Sequence, residues 1–307
     1  MKIFLSSTYK DLKGHREAAA RAIERLGQQG VRMEVFGARP TEATDACLEE
    51  ISDSDALVGI YAHRYGYVPK SHSRSITEQE FDYAQDKGKK TFCFVIDEDY
   101  PWPPKLVEAE PGRSRLRDFI ERLRTVVVTD TFTTPEDLAF KVAASLGHYL
   151  LYRKVKDDLE KLPAKESVST ELGRSQVARR AARLQNVIRG AEVLLVNDIP
   201  DEMRHVIDIL RNLGLNVQVE TSSEHALSAL TNQPFNVVIS DMQRGTIQDE
   251  GIRFLKKMRD EDIQVPVIFT VGRFNPARGT PPFAFGITNR VDECLNLLFD
   301  VLERTRG

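Results

Sequence analysis

Ten short apolar runs, each followed by a stretch of helical periodicity, constrain this chain more than any other feature of its sequence. They fall into two sets of five. The first set occupies residues 2–5, 31–36, 56–61 (ALVGIY), 91–96 (TFCFVI) and 125–128. Helical segments separate them. Over 15–28, Ala19, Ala22, Ile23 and Leu26 recur at i, i+3, i+4 and i+7. Residues 42–52, 77–87 (stopped at Gly88), 113–123 and 135–152 read as helices in the same way. Runs that are apolar throughout belong to strands buried on both faces, so the pattern predicts a parallel sheet with helices on either side.

The pattern then restarts. Residues 192–196 (EVLLV), 216–219, 235–240 (FNVVIS), 265–270 (VPVIFT) and 283–287 form the second set. A helix over 200–213 is opened by Pro200 and closed at Gly214, with Met203, Val206, Ile207 and Leu210 on one face. Thr221-Ser222-Ser223-Glu224 has the form of a capping box before a short helix. Helices over 250–260 and 289–305 complete the set, the last with Val291, Cys294, Leu295, Leu298 and Leu302 on one face. The halves share a topology class but no sequence repeat. The expected fold is α/β: two tandem doubly wound, five-stranded parallel-sheet domains over 1–152 and 191–307. A helical linker over 153–190 joins them. The length of 307 residues suits two domains of ordinary size.

The linker contains KLPAKESVST and then a basic helix over about 171–188, carrying Arg174, Arg179, Arg180 and Arg183. It reads as a solvated connecting helix, with dimer formation or nucleic-acid contact as alternatives. The chain as a whole carries a net charge of −3, which gives no global attraction to nucleic acid or anionic membrane. Cys47, Cys93 and Cys294 are widely spaced and form no zinc-ligand pattern; Cys93 and Cys294 read as buried thiols of a reducing compartment. No signal-peptide core and no 18-residue apolar stretch occurs, so the expected location is the cytoplasm, without membrane contact. No GxxxxGK[ST] motif supports ATP hydrolysis.

Residues 190–306 resemble a response-regulator receiver, a domain of the flavodoxin-like type. Such domains carry acidic residues after the first strand, a phosphoacceptor Asp after the third, a Thr or Ser after the fourth and a Lys after the fifth. The resemblance maps the acidic pair to Asn197 and Asp198 in LLVNDIPDE, with an amide replacing one acid. It maps the phosphoacceptor to Asp241 in VVISDMQ and the switch hydroxyl to Thr270 in VIFTVG. It implies Mg2+ held by Asp198 and Asp241, and a histidine kinase or other signalling partner. Asn289 in FGITNRVDE stands where the lysine belongs, with Arg290 next to it. An amide does not pair with a phosphoryl group as an ammonium does, so a pseudo-receiver used for docking is the competing expectation. The loop VGRFNPARGTPP is too rich in Pro and Gly for a normal fourth helix, and no DNA-binding output domain is expected after residue 306.

Residues 1–150 resemble a domain of unknown function of the DUF4062 type. The resemblance rests on IFLSSTYKDLKGHRE, SDALVGIYAHRYGYVP, SITEQEFDYAQDKGKKTFCFV and FTTPEDLAFKVA. That family is distantly similar to TIR domains and nucleoside 2-deoxyribosyltransferases, which cleave N-glycosidic bonds, NAD among the substrates of TIR domains. The likeness implies NAD or a related nucleotide as substrate, a homo-oligomer, and a bacterial stress or antiphage role. In TIR enzymes a glutamate opens a helix eight residues before a Gly–Lys that leads into the next strand. Here Glu80 lies eight residues before Gly88-Lys89. Glu78 lies about 200° away around the helix and cannot share its face.

Physical reading supplies the remaining candidates. Ser6, Ser7 and Thr8 form a turn of small hydroxyl residues that leaves backbone N–H groups open to phosphate or ribose, or else caps a helix. Arg64 offers a planar fork to a phosphate, Tyr65 a face for a base, and Gly66 a tight turn or close approach. His63 and His72 read as loop or surface histidines, and a salt bridge from Glu80 to Arg64 or Arg16 is the structural alternative to catalysis. The leading expectation is a signal-controlled effector whose front domain cleaves an N-glycosidic bond. A non-enzymatic assembly protein and a phosphorelay protein are the alternatives.

Overall fold

The computed structural model describes residues 1–35, 43–162, 170–245, 247–272 and 279–307. Contact clustering divides the chain into two units, Met1–Gly147 and His148–Gly307.

In the first unit, β1 (Lys2–Ser7), β2 (Gln29–Val31), β3 (Ala56–Tyr61), β4 (Lys90–Ile96) and β5 (Thr129–Phe132) form one parallel sheet in the order β2-β1-β3-β4-β5. The helices are α1 (Lys13–Arg25), α2 (Ala43–Ser52), α3 (Ile76–Asp86), α4 (Gly112–Val126) and the first part of α5 (Pro135–Glu160), whose residues from His148 on belong to the second unit. Successive strand residues face opposite sides of the sheet. Ile3, Leu5, Val58 and Ile60 therefore pack with Ala19 and Ile23 of α1 and Leu138 and Val142 of α5. Phe4 and Leu57 pack on the other side with Cys47 and Ile51 of α2 and Ala84 of α3. Both faces are buried, as the unbroken apolar runs require.

In the second unit, β6 (Glu192–Val196), β7 (Asn216–Glu220), β8 (Val237–Asp241), β9 (Val267–Thr270) and β10 (Gly286–Thr288) form a parallel sheet in the order β10-β9-β8-β6-β7. Helices α6 (Glu171–Arg183), α7 (Gln185–Ile188), α8 (Arg204–Asn212), α9 (Ser223–Asn232), α10 (Glu250–Asp260) and α11 (Val291–Arg306) surround it. Val177 and Ala181 of α6 join Leu210 of α8 and Leu295, Leu298 and Leu302 of α11 against one face. Ala226 of α9 and Phe254, Leu255 and Met258 of α10 cover the other. Counted from its own first strand, each sheet has the order 2-1-3-4-5, the doubly wound α/β arrangement of flavodoxin-like type.

Several expected boundaries are corrected. The run over 31–36 is not a strand: β2 ends at Val31, and Met33–Val35 form a 3-10 turn. Ladder pairing with β1 stops at Phe4–Val31, and Glu34 is drawn out of strand geometry by the guanidinium of Arg16; Phe36 lies outside the described residues. The fifth strand is Thr129–Phe132 rather than 125–128. Helix α4 runs through Val126, and Val126 and Val128 are exposed despite being apolar. An edge strand with one buried side chain, Phe132, needs no apolar run. The helix expected over 135–152 continues to Glu160, and the one over 200–213 begins as a 3-10 turn, Pro200–Met203. The N-cap of α9 is Ser222, whose hydroxyl accepts from the His225 N–H, so the box does not start at Thr221. The expected strand over 283–287 is displaced to Gly286–Thr288. KLPAKESVST and the loop after Thr270 fall largely outside the described residues.

Candidate functional site

In an open α/β sheet ligands bind beyond the carboxyl ends of the strands where the strand order reverses. In the first sheet that point lies between β1 and β3. A cleft of about 570 Å3 opens there. Its walls include Ser7, Thr8 and Lys10 beyond β1, Arg64, Gly66 and Tyr67 beyond β3, Thr77 and Glu80 from α3, and Glu108.

Local sequence explains how α3 brings Glu80 to the wall. Ser75 is buried in extended conformation, and its hydroxyl accepts from the Glu78 N–H at 3.3 Å, starting the helix. Gly88, at φ +63°, ends it. Phe81 and Ala84 are fully buried and set its rotation, which leaves Glu80 against β1. Glu80 is 6% exposed. Its Oε2 accepts from the Ser6 hydroxyl at 2.5 Å, and the Cys47 thiol also donates to it. Burial pushes the Glu80 carboxyl above its ordinary pKa. The Ser6 and Cys47 hydrogen bonds and the charge of Arg16 oppose that shift without cancelling it.

Arg16 does not pair with Glu80. Its Nε and Nη2 form a two-pronged ion pair with Glu34 at 2.7 and 2.6 Å, and its Nη1 donates to the Ser7 carbonyl and hydroxyl at 3.1 and 2.6 Å. Arg16 thus fixes the turn after β1. Arg64 has no hydrogen-bond or ion-pair partner among the described residues, which leaves a half-buried guanidinium on the cleft wall. Glu108 holds the turn after β3 by accepting from the N–H groups of Tyr65 at 2.6 Å and Gly66 at 3.2 Å.

Two expected contacts are corrected. Ser6 is 1% exposed and is not part of the cleft wall; its hydroxyl is committed to Glu80. Tyr65 offers no face to a base. Its ring is buried among Tyr61, Phe81, Val95 and Phe119, and its phenol donates to Glu78. Glu78 faces Arg122 of α4, away from Glu80, as the helical angle requires. The exposed aromatic rings at the cleft are Tyr67, 69% exposed, and Tyr9, 50% exposed. Tyr67 and Glu108 escaped sequence reasoning. HRYGY offers two tyrosines of opposite fate, and Glu108 lies in a loop with no periodicity. His63 is half-buried against the Trp102 ring, with centroids 5.4 Å apart, and burial lowers its pKa; His72 is exposed. Neither faces the cleft.

The second sheet reverses order between β6 and β8. A cleft of about 230 Å3 there is lined by Asn197, Asp241, Thr270, Asn289 and Arg290, among others. Asp241 and Thr270 stand opposite each other in the β8–β9 ladder. The Asp241 carboxyl is raised above its ordinary pKa, first by burial and further by the charge of Asp198, while backbone N–H groups of Gln243 and Met242 and the charge of Arg244 pull it down. Asp198 is absent from the cleft wall: its Oδ2 accepts from the Gly245 N–H at 2.7 Å. Among the described residues no cluster of three acidic, His or Cys side chains is arranged for a metal. Asp198 and Asp241 stand at the ends of the paired strands β6 and β8, and their hard carboxylate oxygens are the donor type that fits Mg2+, an ion that keeps most of its waters. Arg244, three residues past Asp241, was not anticipated. It is buried, donates to Ser223 and Ser240, and stacks on Phe254.

Both clefts thus lie at the strand-order switch of a doubly wound domain. Comparison with known proteins agrees. Residues 2–147 match the family described as Domain of unknown function (DUF4062), and residues 193–279 match the Response regulator receiver domain. The chain carries an N-terminal DUF4062 domain followed by a receiver domain. One curated relative, telomerase protein component 1 of Mus musculus, is 25% identical over 162 residues, 38% of this chain. The match spans only 6% of that protein's length. Solved structures similar to this chain include the chemotaxis response regulator CheY4 of Vibrio cholerae, 22% identical, covering 36% of this chain and 98% of that one, with TM-score 0.32. Another is TrrA of Thermotoga maritima in complex with Mg(2+)-BeF, 16% identical, with coverage 36% and 98% and TM-score 0.32. No helix among the described residues is long and apolar enough to cross a membrane.

Proposed function

We propose that this protein is a signal-controlled effector whose DUF4062 domain cleaves the N-glycosidic bond of NAD or a related nucleotide, under control of its receiver domain. The observation that carries the reading is the buried Glu80 carboxyl on the wall of a 570 Å3 cleft that also holds the guanidinium of Arg64, without a hydrogen-bond or ion-pair partner among the described residues. A nucleotide needs these complements: a cation for phosphate, hydroxyls and a carboxylate for ribose, and a ring for the base. Arg64, Ser7 and Thr8, Glu80 and Tyr67 supply them in turn.

The chemistry is a substitution at the ribose C1′. The C1′–N bond breaks and its electron pair leaves with the base. Positive charge develops on the ribose ring, and the buried Glu80 carboxylate on the cleft wall opposes it. Water then adds to C1′ and loses a proton to solvent. Ser6 and Cys47 hold the Glu80 carboxylate in one orientation, so no reorganisation is required as charge develops.

In the receiver domain, Asp241 accepts a phosphoryl group from a histidine kinase. Mg2+ held by Asp198 and Asp241 would offset the phosphoryl charge. Full-length protein incubated with NAD is expected to release nicotinamide, read by chromatography. Glu80→Gln, which keeps volume and loses charge, is expected to lower the rate about 100- to 1,000-fold. An unchanged rate in that variant removes Glu80 from the chemistry.

The alternative, a non-enzymatic assembly module controlled by a pseudo-receiver, draws support from Asn289 at the position of the receiver lysine. Forced oligomerisation with no nicotinamide released under any condition favours it. A stress or antiphage role and homo-oligomerisation follow from the TIR likeness alone.

A further inference from the structure

The receiver cleft has a polar amide where an ammonium normally stands, yet it is not without a cation. Among the described lining residues Arg290 is the one basic side chain. It follows β10 directly and is only partly exposed. Its guanidinium is already engaged: Nη2 donates to Asp292 Oδ2 at 2.5 Å and Nε to Oδ1 at 3.1 Å, a two-pronged pairing.

Asp292 is 2% exposed, on the first turn of α11. What buries it is the N-terminal turn of α6. A Cβ built on Gly173 would lie 2.5 Å from Asp292 Oδ2 and 3.6 Å from Arg290 Nη2, so a larger residue at 173 would have to displace this carboxylate. Thr170 caps the helix by accepting from the Gly173 N–H at 3.1 Å. About two helical turns further on, Arg180 donates to the Asn296 carbonyl at 3.1 Å and to Asp300 at 2.6 Å, and it also pairs with Glu303, all on α11. Helix α6 is therefore tied to α11 by the Arg180 pairs, while its N-terminal turn closes over Asp292, whose cation Arg290 also lines the cleft that contains Asp241. In sequence, α6 lies between the two sheets.

We propose that Arg290 reads the phosphoryl group on Asp241 in place of the absent lysine and, by leaving Asp292, loosens the N-terminal end of α6 from α11. The proposal rests on the reading of Asp241 as phosphoacceptor. In that step a carboxylate oxygen of Asp241 attacks the phosphorus of a phosphohistidine or an acyl phosphate. A new O–P bond forms as the donor's P–N or P–O bond breaks, and the electron pair leaves with the imidazole nitrogen, which is protonated, or with the acyl carboxylate. The product carries more negative charge than the carboxylate it replaces and presents oxygens matched to a guanidinium fork. Once Arg290 turns to them, Asp292 is a buried carboxylate without its counter-cation, a costly arrangement that is relieved when α6 moves and water enters.

The test uses the full chain with acetyl phosphate and Mg2+. Intact mass reads the phosphoryl adduct, and amide hydrogen exchange reads α6. The expected result is an adduct on the wild type with exchange over residues 171–183 faster by at least about 5-fold, the low end of ordinary site-to-site coupling. Asp292→Asn is expected to speed α6 exchange without acetyl phosphate. Arg290→Gln is expected to take the adduct yet show the same α6 exchange with and without it, and Arg290→Lys to restore the response. An adduct on the wild type with unchanged α6 exchange overturns the coupling and leaves the phosphoacceptor reading standing. No adduct, or one that persists in Asp241→Asn, overturns that reading and this proposal with it.

Discussion

Burial disfavours the charged form of Glu80, and that gives a stability test as well as a kinetic one. Burial raises its pKa in the folded state above the unfolded value near 4.5. The folded protein then binds the proton more tightly than the unfolded chain. The stabilising contribution is complete below the unfolded pKa and is lost as pH rises through the folded one. Glu80→Gln cannot ionise and keeps an oxygen to accept from Ser6. Its melting temperature is expected to exceed the wild type's at pH 8 and to converge with it near pH 4; a variant that melts lower at pH 8 contradicts the account. The same scale separates two tyrosines. Tyr65→Phe removes one donor from Glu78, which keeps Arg122. The expected cost is about 1–3 kcal/mol of unfolding free energy in urea, with nucleotide affinity unchanged. Tyr67→Ala is expected to leave stability unchanged and weaken nucleotide binding about 10-fold by calorimetry, as loss of a stacking surface does. Equal effects in both variants would refute the assignment. The resemblance to TIR enzymes marked Glu80 in SITEQE, and helical spacing served only to set Glu78 on a different face. HRYGY did not mark its tyrosines correctly, because a loop has no period from which to read inside and outside.

Strands buried on both faces were legible, and three of the four edge strands were not; β7, the remaining edge, was placed to within one residue. The bounds 56–61 for β3 and 192–196 for β6 were read without error, since central parallel strands are apolar throughout. The edge strands β2, β5 and β10 were each misplaced, because one neighbour and partial exposure put little demand on composition. The turn after β3 shows what the pattern leaves out. Its shape depends on Glu108, 42 residues beyond Gly66 in sequence, and no local signal ties them. Gly66 itself sits at φ +95°, and a Cβ there would approach Thr8 Cγ2 to 3.0 Å. Gly66→Ala combines a disfavoured backbone with pressure on a cleft residue. It is expected to cost about 1–3 kcal/mol of stability and to lower nucleotide affinity in the same preparation. A neutral effect on both would show that the turn does not shape the cleft.

At the level of the whole molecule, the repeated 2-1-3-4-5 strand order places an acidic group near each switch point, Glu80 in one unit and Asp241 in the other. The tandem organisation was legible because hydrophobic periodicity restarts at residue 192, after a basic segment that lacks strands. Charge and spacing could not reveal that Arg290 is shared between the receiver cleft and α6, since that sharing requires Asp292 and Gly173 to meet across 119 residues of chain. The most direct measurement is the rate of nicotinamide release from NAD by the full chain, with and without acetyl phosphate and Mg2+, in the wild type, Glu80→Gln and Asp241→Asn. The account predicts release by the wild type at a rate that changes on adding acetyl phosphate, a rate in Asp241→Asn that ignores it, and near-complete loss in Glu80→Gln under both conditions. Release by Glu80→Gln at the wild-type rate, or no release by any of the three proteins, would contradict it.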